Sequence, residues 1–141
     1  MSNPIELDVN YFAVPQLLES DLESIKAQGF QRVINNRPEN EAEDQPNGES
    51  LRLAVEAMGM EYVANPIDLS KFSQVQVDTQ AAAIAETKKT VAFCRTGTRS
   101  TVLWVLLENA KGKNYDDLVT FAGSKGFDLG RCQPAMQPLA K

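Results

Sequence analysis

The stretch TVAFCRTGTRSTVLWVLL (residues 90–107) decides the fold. Thr90 to Phe93 is a short β-branched and aromatic run that reads as a strand. Cys94 stands where that strand ends, and Gly97 permits a tight backbone turn. From about Ser100 a helix follows. Its segment Val102 to Leu107 is apolar on almost every side, which places it at the centre of the domain. A buried strand, a short loop and a buried helix in immediate succession make a βα unit, and such units bind ligands at the carboxyl end of the strand.

The flanking sequence supplies the rest of the layers. Tyr11 to Val14, Arg32 to Asn35 and Glu61 to Ala64 read as further strands. Ser20 with Glu23 three residues on has the form of a capping box, and the helix it opens stops at Gly29-Phe30 in the pattern of a left-handed cap. Arg37 to Gly48, with Pro38 and Pro46 among acidic residues, reads as a solvated loop. Leu51, Ala54, Val55 and Met58 fall at helical spacing up to Gly59, and Val77, Ala81, Ile84 and Ala85 mark a third helix. Asn114 and Asp117 cap a last helix that ends at Gly126-Phe127. The tail from Arg131 to Lys141, with Pro134 and Pro138, is expected to be loosely held. Strands alternating with helices predict an α/β protein with a mainly parallel sheet, in one domain spanning residues 1–141.

Composition narrows the function. A chain of 141 residues buries a sufficient core without disulfide or metal staples. Its net charge of -5 argues against a nucleic-acid partner, which needs clustered basic charge. The longest apolar run, Val102 to Leu107, is far below membrane-spanning length. The start MSNPIELDVNYF lacks the basic and apolar segments of a signal peptide, so a cytoplasmic location is expected. Two cysteines, Cys94 and Cys132, are too few for a disulfide scaffold. The chain has no histidine. That removes Ser-His-Asp and Cys-His hydrolysis and most zinc sites, and neither a metal nor a cofactor is expected.

A nucleophile here must be activated by something other than imidazole. The helix N-terminus directs unpaired N–H groups and a positive dipole end into the loop Arg95, Thr96, Gly97, Thr98. Such a nest binds an anion and stabilises a thiolate. Arg95 and Arg99 add fixed positive charge, and a guanidinium can fork onto two oxygens of a bound oxyanion. A thiolate so held can attack phosphorus or sulfur. Cys94 alone would read as a buried structural residue; the Gly three positions on and the Arg five on favour a catalytic one.

At these residues the chain resembles a bacterial tyrosine-phosphatase-like family, the phosphatase-like domain of beta-lactamase-hydrolase-like proteins. The resemblance lies in QGFQRVINNRPENE (28–41), EYVANPID (61–68) and VAFCRTGTRSTVLW (91–104), and extends from about Val14 to Leu129. It implies the dual-specificity phosphatase fold, a central, mostly parallel four-stranded sheet flanked by helices. One departure matters. Tyrosine and dual-specificity phosphatases carry the Arg six positions after the Cys, usually with His before it; here position six is Ser100, the Arg is Arg99, and Phe93 replaces the His. The loop CRTGTR has the length typical of rhodaneses.

The leading expectation is therefore sulfane-sulfur transfer through a Cys94 persulfide, from thiosulfate or a glutathione persulfide to a thiol acceptor. Arg95 and Arg99 would attract the anionic donor, and Ser100 would donate a hydrogen bond to the thiolate. The alternative is hydrolysis of phosphate esters through a phosphocysteine, for which the resemblance makes Asp68 the candidate acid; Asp68 reads equally as a turn cap before Leu69-Ser70. A third reading keeps the cradle as a non-catalytic anion-binding module. Arg37 is either an anion-recruiting residue or a solvated loop arginine, and Cys132 reads as incidental to the chemistry.

Overall fold

The computed structural model describes residues 3–141. Its strands are β1 (Ile5–Asp8), β2 (Tyr11–Val14), β3 (Arg32–Asn35), β4 (Glu61–Ala64) and β5 (Thr90–Phe93), in the sheet order β1-β2-β5-β3-β4. β2, β5, β3 and β4 are parallel neighbours, while β1 adds to β2 in antiparallel fashion. The sheet thus has five strands, one more than the resemblance implies. β1 escapes the pattern because Leu7 is its buried position, with charged Glu6 and Asp8 on either side. Charges of that kind on an edge strand discourage pairing with another chain.

The two-residue period of a strand sorts side chains to opposite faces, and two cores result. Val14, Val33, Val91 and Phe93 pack with Leu22 and Ile25 of α1 (Leu22–Ala27) and with Leu51 and Val55 of α2 (Gly48–Ala57). Ala13, Ile34 and Ala92 face the other way, onto α4 (Thr98–Ala110). Behind α4 lie Leu118 and Ala122 of α5 (Tyr115–Ser124), and Val77 of α3 (Gln74–Ala83) completes this layer. Every residue of α4 from Ser100 to Asn109 is buried, with the all-round apolar run Val102 to Leu107 at its centre. Each aliphatic side chain taken out of water here contributes about 1.5–3 kcal/mol, so α4 is the fixed post on which the preceding loop stands.

Helix ends follow the sequence with two corrections. Gly29 and Gly126 take φ of +91° and +100°, and the following Phe30 and Phe127 amides reach back to Ile25 O and Ala122 O. The start of α1 is later than Ser20 suggests. Residues Glu19–Asp21 form a 3-10 turn in which the Asp21 carboxylate accepts the Leu18 N–H at 2.8 Å, so Ser20 is not the cap. The C-terminal tail is packed rather than loose. Two 3-10 turns flank a short α6 (Gln133–Met136), Met136 is wholly buried, and the Lys141 N–H donates to Asn109 Oδ1 at 2.7 Å. Pro134 and Pro138 are the second residues of α6 and of the last 3-10 turn, where a missing N–H costs nothing.

Candidate active site

The carboxyl ends of the four parallel strands deliver Gln16, Arg37, Asp68 and Cys94 to one edge of the sheet. The Cys94 loop is tied to both neighbouring strands: the Asn36 N–H donates to Phe93 O at 2.8 Å, and the Gln16 N–H to Arg95 O at 3.3 Å. Gly97, at φ +89°, is the N-cap of α4. That conformation aims its N–H at Cys94 Sγ, 3.1 Å away. A Cβ on Gly97 would stand 3.0 Å from Phe127 Cε1 and 3.3 Å from the Val14 backbone, so the loop is pressed between β2 and Phe127 just after α5. The Thr98 N–H is directed instead to Thr96 Oγ1, at 3.4 Å. Cys94 itself is fully buried, whereas Arg95 and Thr96 are exposed.

A buried polar network underlies the loop. The Ser100 hydroxyl donates to Asn36 Oδ1 at 2.8 Å, which corrects the expectation that it serves the thiolate. Asn36 Nδ2 donates to Gln80 Oε1 and to Asn65 O, and Gln80 Nε2 donates to the Tyr11 hydroxyl. That hydroxyl in turn donates to Ser100 O at 2.7 Å. Burial holds Tyr11 well above the ordinary range for a phenol, with the Gln80 hydrogen bond pulling the other way. The first turn of α4 is thereby pinned from β2, β3 and α3. Of the two asparagines ending β3, Asn36 serves the helix under the loop, while Asn35 accepts the Arg37 N–H and donates to the Tyr62 hydroxyl.

Above the loop, Arg99 and Arg37 meet on one carboxylate. Arg99 donates to both oxygens of Glu41, at 2.6 and 2.9 Å, and to Ile67 O at 2.9 Å. Arg37 Nε donates to Glu41 Oε1 at 2.9 Å and Nη1 to Gln16 Oε1 at 3.0 Å. These contacts keep Glu41 below the usual carboxylate range, the Arg99 hydrogen bond first among the causes. Arg99 is correspondingly held above its ordinary value by Glu41, and the neighbouring Cys94 sulfur adds to the effect. Arg37, Glu41, Ala42, Arg95 and Arg99 line an open cleft of about 380 Å³. Arg37 is therefore buried against this cleft and not solvated.

Asp68 caps a 3-10 turn, accepting the Ser70 N–H at 3.0 Å and the Ser70 hydroxyl at 2.6 Å. Those hydrogen bonds lower its pKa, and Lys71 and Arg99 assist. It is exposed, and both Ser70 bonds fall on its Oδ1. Cys132 joins the core cluster packed on α4, and burial pushes its thiol up. Glu41 is the site residue that sequence reasoning did not single out, since one acid among several in a loop carries no local mark. A separate cleft beside Trp104, with Tyr11, Lys88 and Leu107 on its wall, lies at the opposite end of the strands.

Residues 6–111 match the family described as beta-lactamase hydrolase-like protein, phosphatase-like domain. The chain belongs to this family. A beta-lactamase hydrolase-like protein of Agrobacterium fabrum is 34% identical over 116 residues, covering 81% of this chain and 27% of that protein. The chain thus spans about a quarter of the length of the curated relatives it matches. Among solved structures, a phosphatase candidate from Neisseria meningitidis superposes with a TM-score of 0.85 at 28% identity, covering 96% of both chains. Tk-PTP in its active form gives 0.78 at 18% identity over 96% of this chain and 95% of that one, a likeness of fold. The family domain is therefore an α/β, tyrosine-phosphatase-like fold with a mostly parallel sheet. Among the described residues no helix is long and apolar enough to cross a membrane.

Proposed function

We propose that this domain is a thiolate enzyme in which Cys94 takes sulfane sulfur from a small anionic donor and passes it to a thiol. In the first half-reaction the Cys94 thiolate attacks the outer sulfur of thiosulfate. The donor's S–S bond breaks and sulfite leaves with the electron pair. In the second, an acceptor thiolate attacks the outer sulfur of the Cys94 persulfide, and the Cys94 thiolate is released. Arg99, Arg37 and Arg95 draw the anion in, and the Gly97 N–H stabilises charge on sulfur.

The observation that carries this reading is the state of Asp68. Its Oδ1 accepts the Ser70 N–H and hydroxyl, which lowers its pKa and favours the ionised form, and no step of sulfur transfer asks for an acid, because sulfite and thiolate leave without a proton. The short Cys94-to-Arg99 loop, with one amide on the sulfur, is a further support. We place the reaction in the cytoplasm, whose reducing thiols would supply the acceptor.

The second reading is hydrolysis of phosphate esters through a phosphocysteine, and the family's description and its phosphatase-like fold favour it. It requires Asp68 to carry a proton, on the Oδ2 that Ser70 does not bind, and to deliver it to the departing oxygen. Intact mass spectrometry after brief exposure to thiosulfate or glutathione persulfide separates the two. Sulfur transfer predicts a gain of one sulfur atom at Cys94, discharged by cyanide or a thiol and absent in Cys94→Ser. No gain, with hydrolysis of an aryl phosphate by the same sample, selects the phosphatase. Neither outcome would leave an anion-binding module.

A further inference from the structure

The fully buried sulfur and the carboxylate above it belong together. Glu41 reaches across from the loop after β3 and places its two oxygens on the two arms of the Arg99 guanidinium, sharing one of them with Arg37. That is the planar fork by which a guanidinium also grips phosphate or a sulfur oxyanion. We infer that Glu41 is an internal occupant of the anion subsite, a carboxylate that an arriving substrate must displace and that selects for dianions over weaker competitors.

Charge and placement support this. The cleft offers Arg37, Arg95 and Arg99, and Glu41 takes the fork of one and a hydrogen bond of another. A monoanion offers these groups no more than the resident carboxylate does, whereas a dianion brings a second charge to the same fork. The resident is also removable. The side chains of Glu41 and Arg99 remain 28% and 15% exposed, so water screens the pair and can take over either partner. The loop that carries Glu41 is braced mainly within itself: Gln45 donates to Pro38 O and accepts the Glu41 N–H, each at 2.8 Å. Arg99 keeps its bond to Ile67 O when the carboxylate leaves, so the guanidinium stays aimed at the cleft. Cys94 beneath the loop has no exposed surface.

This inference rests on the reading of Cys94 as the reactive sulfur, but its test needs neither sulfur transfer nor hydrolysis. The rate of Cys94 alkylation is measured by peptide mass mapping with iodoacetate, a monoanion, and with neutral iodoacetamide, in the parent protein and in Glu41→Gln. Sulfate is then titrated as a dianionic protector. Glu41→Gln is expected to raise the iodoacetate-to-iodoacetamide rate ratio about tenfold and to lower the protecting sulfate concentration by a similar factor, as release of one charge-assisted contact implies. Glu41→Ala should behave alike, with circular dichroism confirming the fold of both. Weaker sulfate protection in the variants would make Glu41 a residue that positions Arg99 and overturn the proposal. So would unchanged ratios, or a Cys94 inert to both reagents in every protein.

Discussion

The N–H of Gly97 donates to Cys94 Sγ across 3.1 Å, from a backbone with φ of +89°. Side chains rarely adopt that conformation, and here a Cβ would also press within 3.3 Å of the Val14 backbone. Gly97→Ala therefore has to shift the loop and turn the amide from the sulfur. Loss of one such donor at a charge-bearing atom lowers turnover by about 10²–10³-fold, and the strain costs roughly 1–3 kcal/mol of stability. Steady-state kinetics and urea unfolding of the variant check both. Turnover within a few-fold of the parent would deny the Gly97 amide its role.

Tyr11 predicts an alkaline limit to stability. Its hydroxyl is wholly buried between Ser100 O and Gln80, and burial raises its pKa above that of a phenol in the unfolded chain, near 10. The native state thus holds this proton more tightly than the unfolded state does. The resulting stabilisation is complete below pH about 10 and fades as pH climbs, at up to roughly 1.4 kcal/mol per pH unit for the one proton. Tyr11→Phe should flatten the alkaline limb of stability against pH by that amount. It should also cost about 1–3 kcal/mol at neutral pH, because Ser100 O and Gln80 Nε2 lose a buried partner. Urea unfolding from pH 7 upward tests both, and equal alkaline slopes would refute the assignment.

The core of the fold was legible because its signals are local. β2, β3, β4 and β5 lie where apolar runs place them, and Gly29-Phe30 and Gly126-Phe127 end helices by a mechanism confined to a few residues. What could not be read has tertiary causes. β1 turns Ile5 and Leu7 inward, two residues, too few for a periodic signal. In the tail, Leu129, Cys132 and Met136 recur at helical intervals, yet Pro134 and Pro138 read as breakers because only the structure reveals that they open turns. Ser100 looked like a donor to the thiolate until Asn36 supplied an acceptor 64 residues away in sequence. Glu41 enters the site only through its pairing with Arg99, at a separation of 58 residues, which no local pattern encodes.

Arg99→Lys separates charge from geometry at that pairing. The ammonium retains the positive charge but cannot bind both Glu41 oxygens and Ile67 O as the planar fork does. Sulfate or thiosulfate affinity should fall about tenfold by calorimetry, the equivalent of one charge-assisted hydrogen bond. Thermal stability should change little, since part-exposed ion pairs contribute about 1 kcal/mol or less. Unchanged affinity would mean that charge alone recruits the anion.

Asp68→Asn decides the chemistry. The amide oxygen of Asn can still accept the Ser70 N–H and hydroxyl, so the turn before α3 keeps its cap while the ionisable group is removed. If Cys94 transfers sulfur, no proton passes through residue 68. Persulfide formation and discharge should then stay within about twofold of the parent, since the variant removes no general acid the reaction uses. If the reaction is phosphate-ester hydrolysis with Asp68 as the acid, the same substitution lowers kcat by about 10²–10⁴-fold, most strongly for esters with poor leaving groups. Measuring both half-reactions of sulfur transfer and aryl phosphate hydrolysis on one preparation, with stability as the control for the cap, assigns Asp68 to the turn or to the reaction. A large loss of sulfur transfer with the cap intact would overturn the proposed function at the observation that carries it.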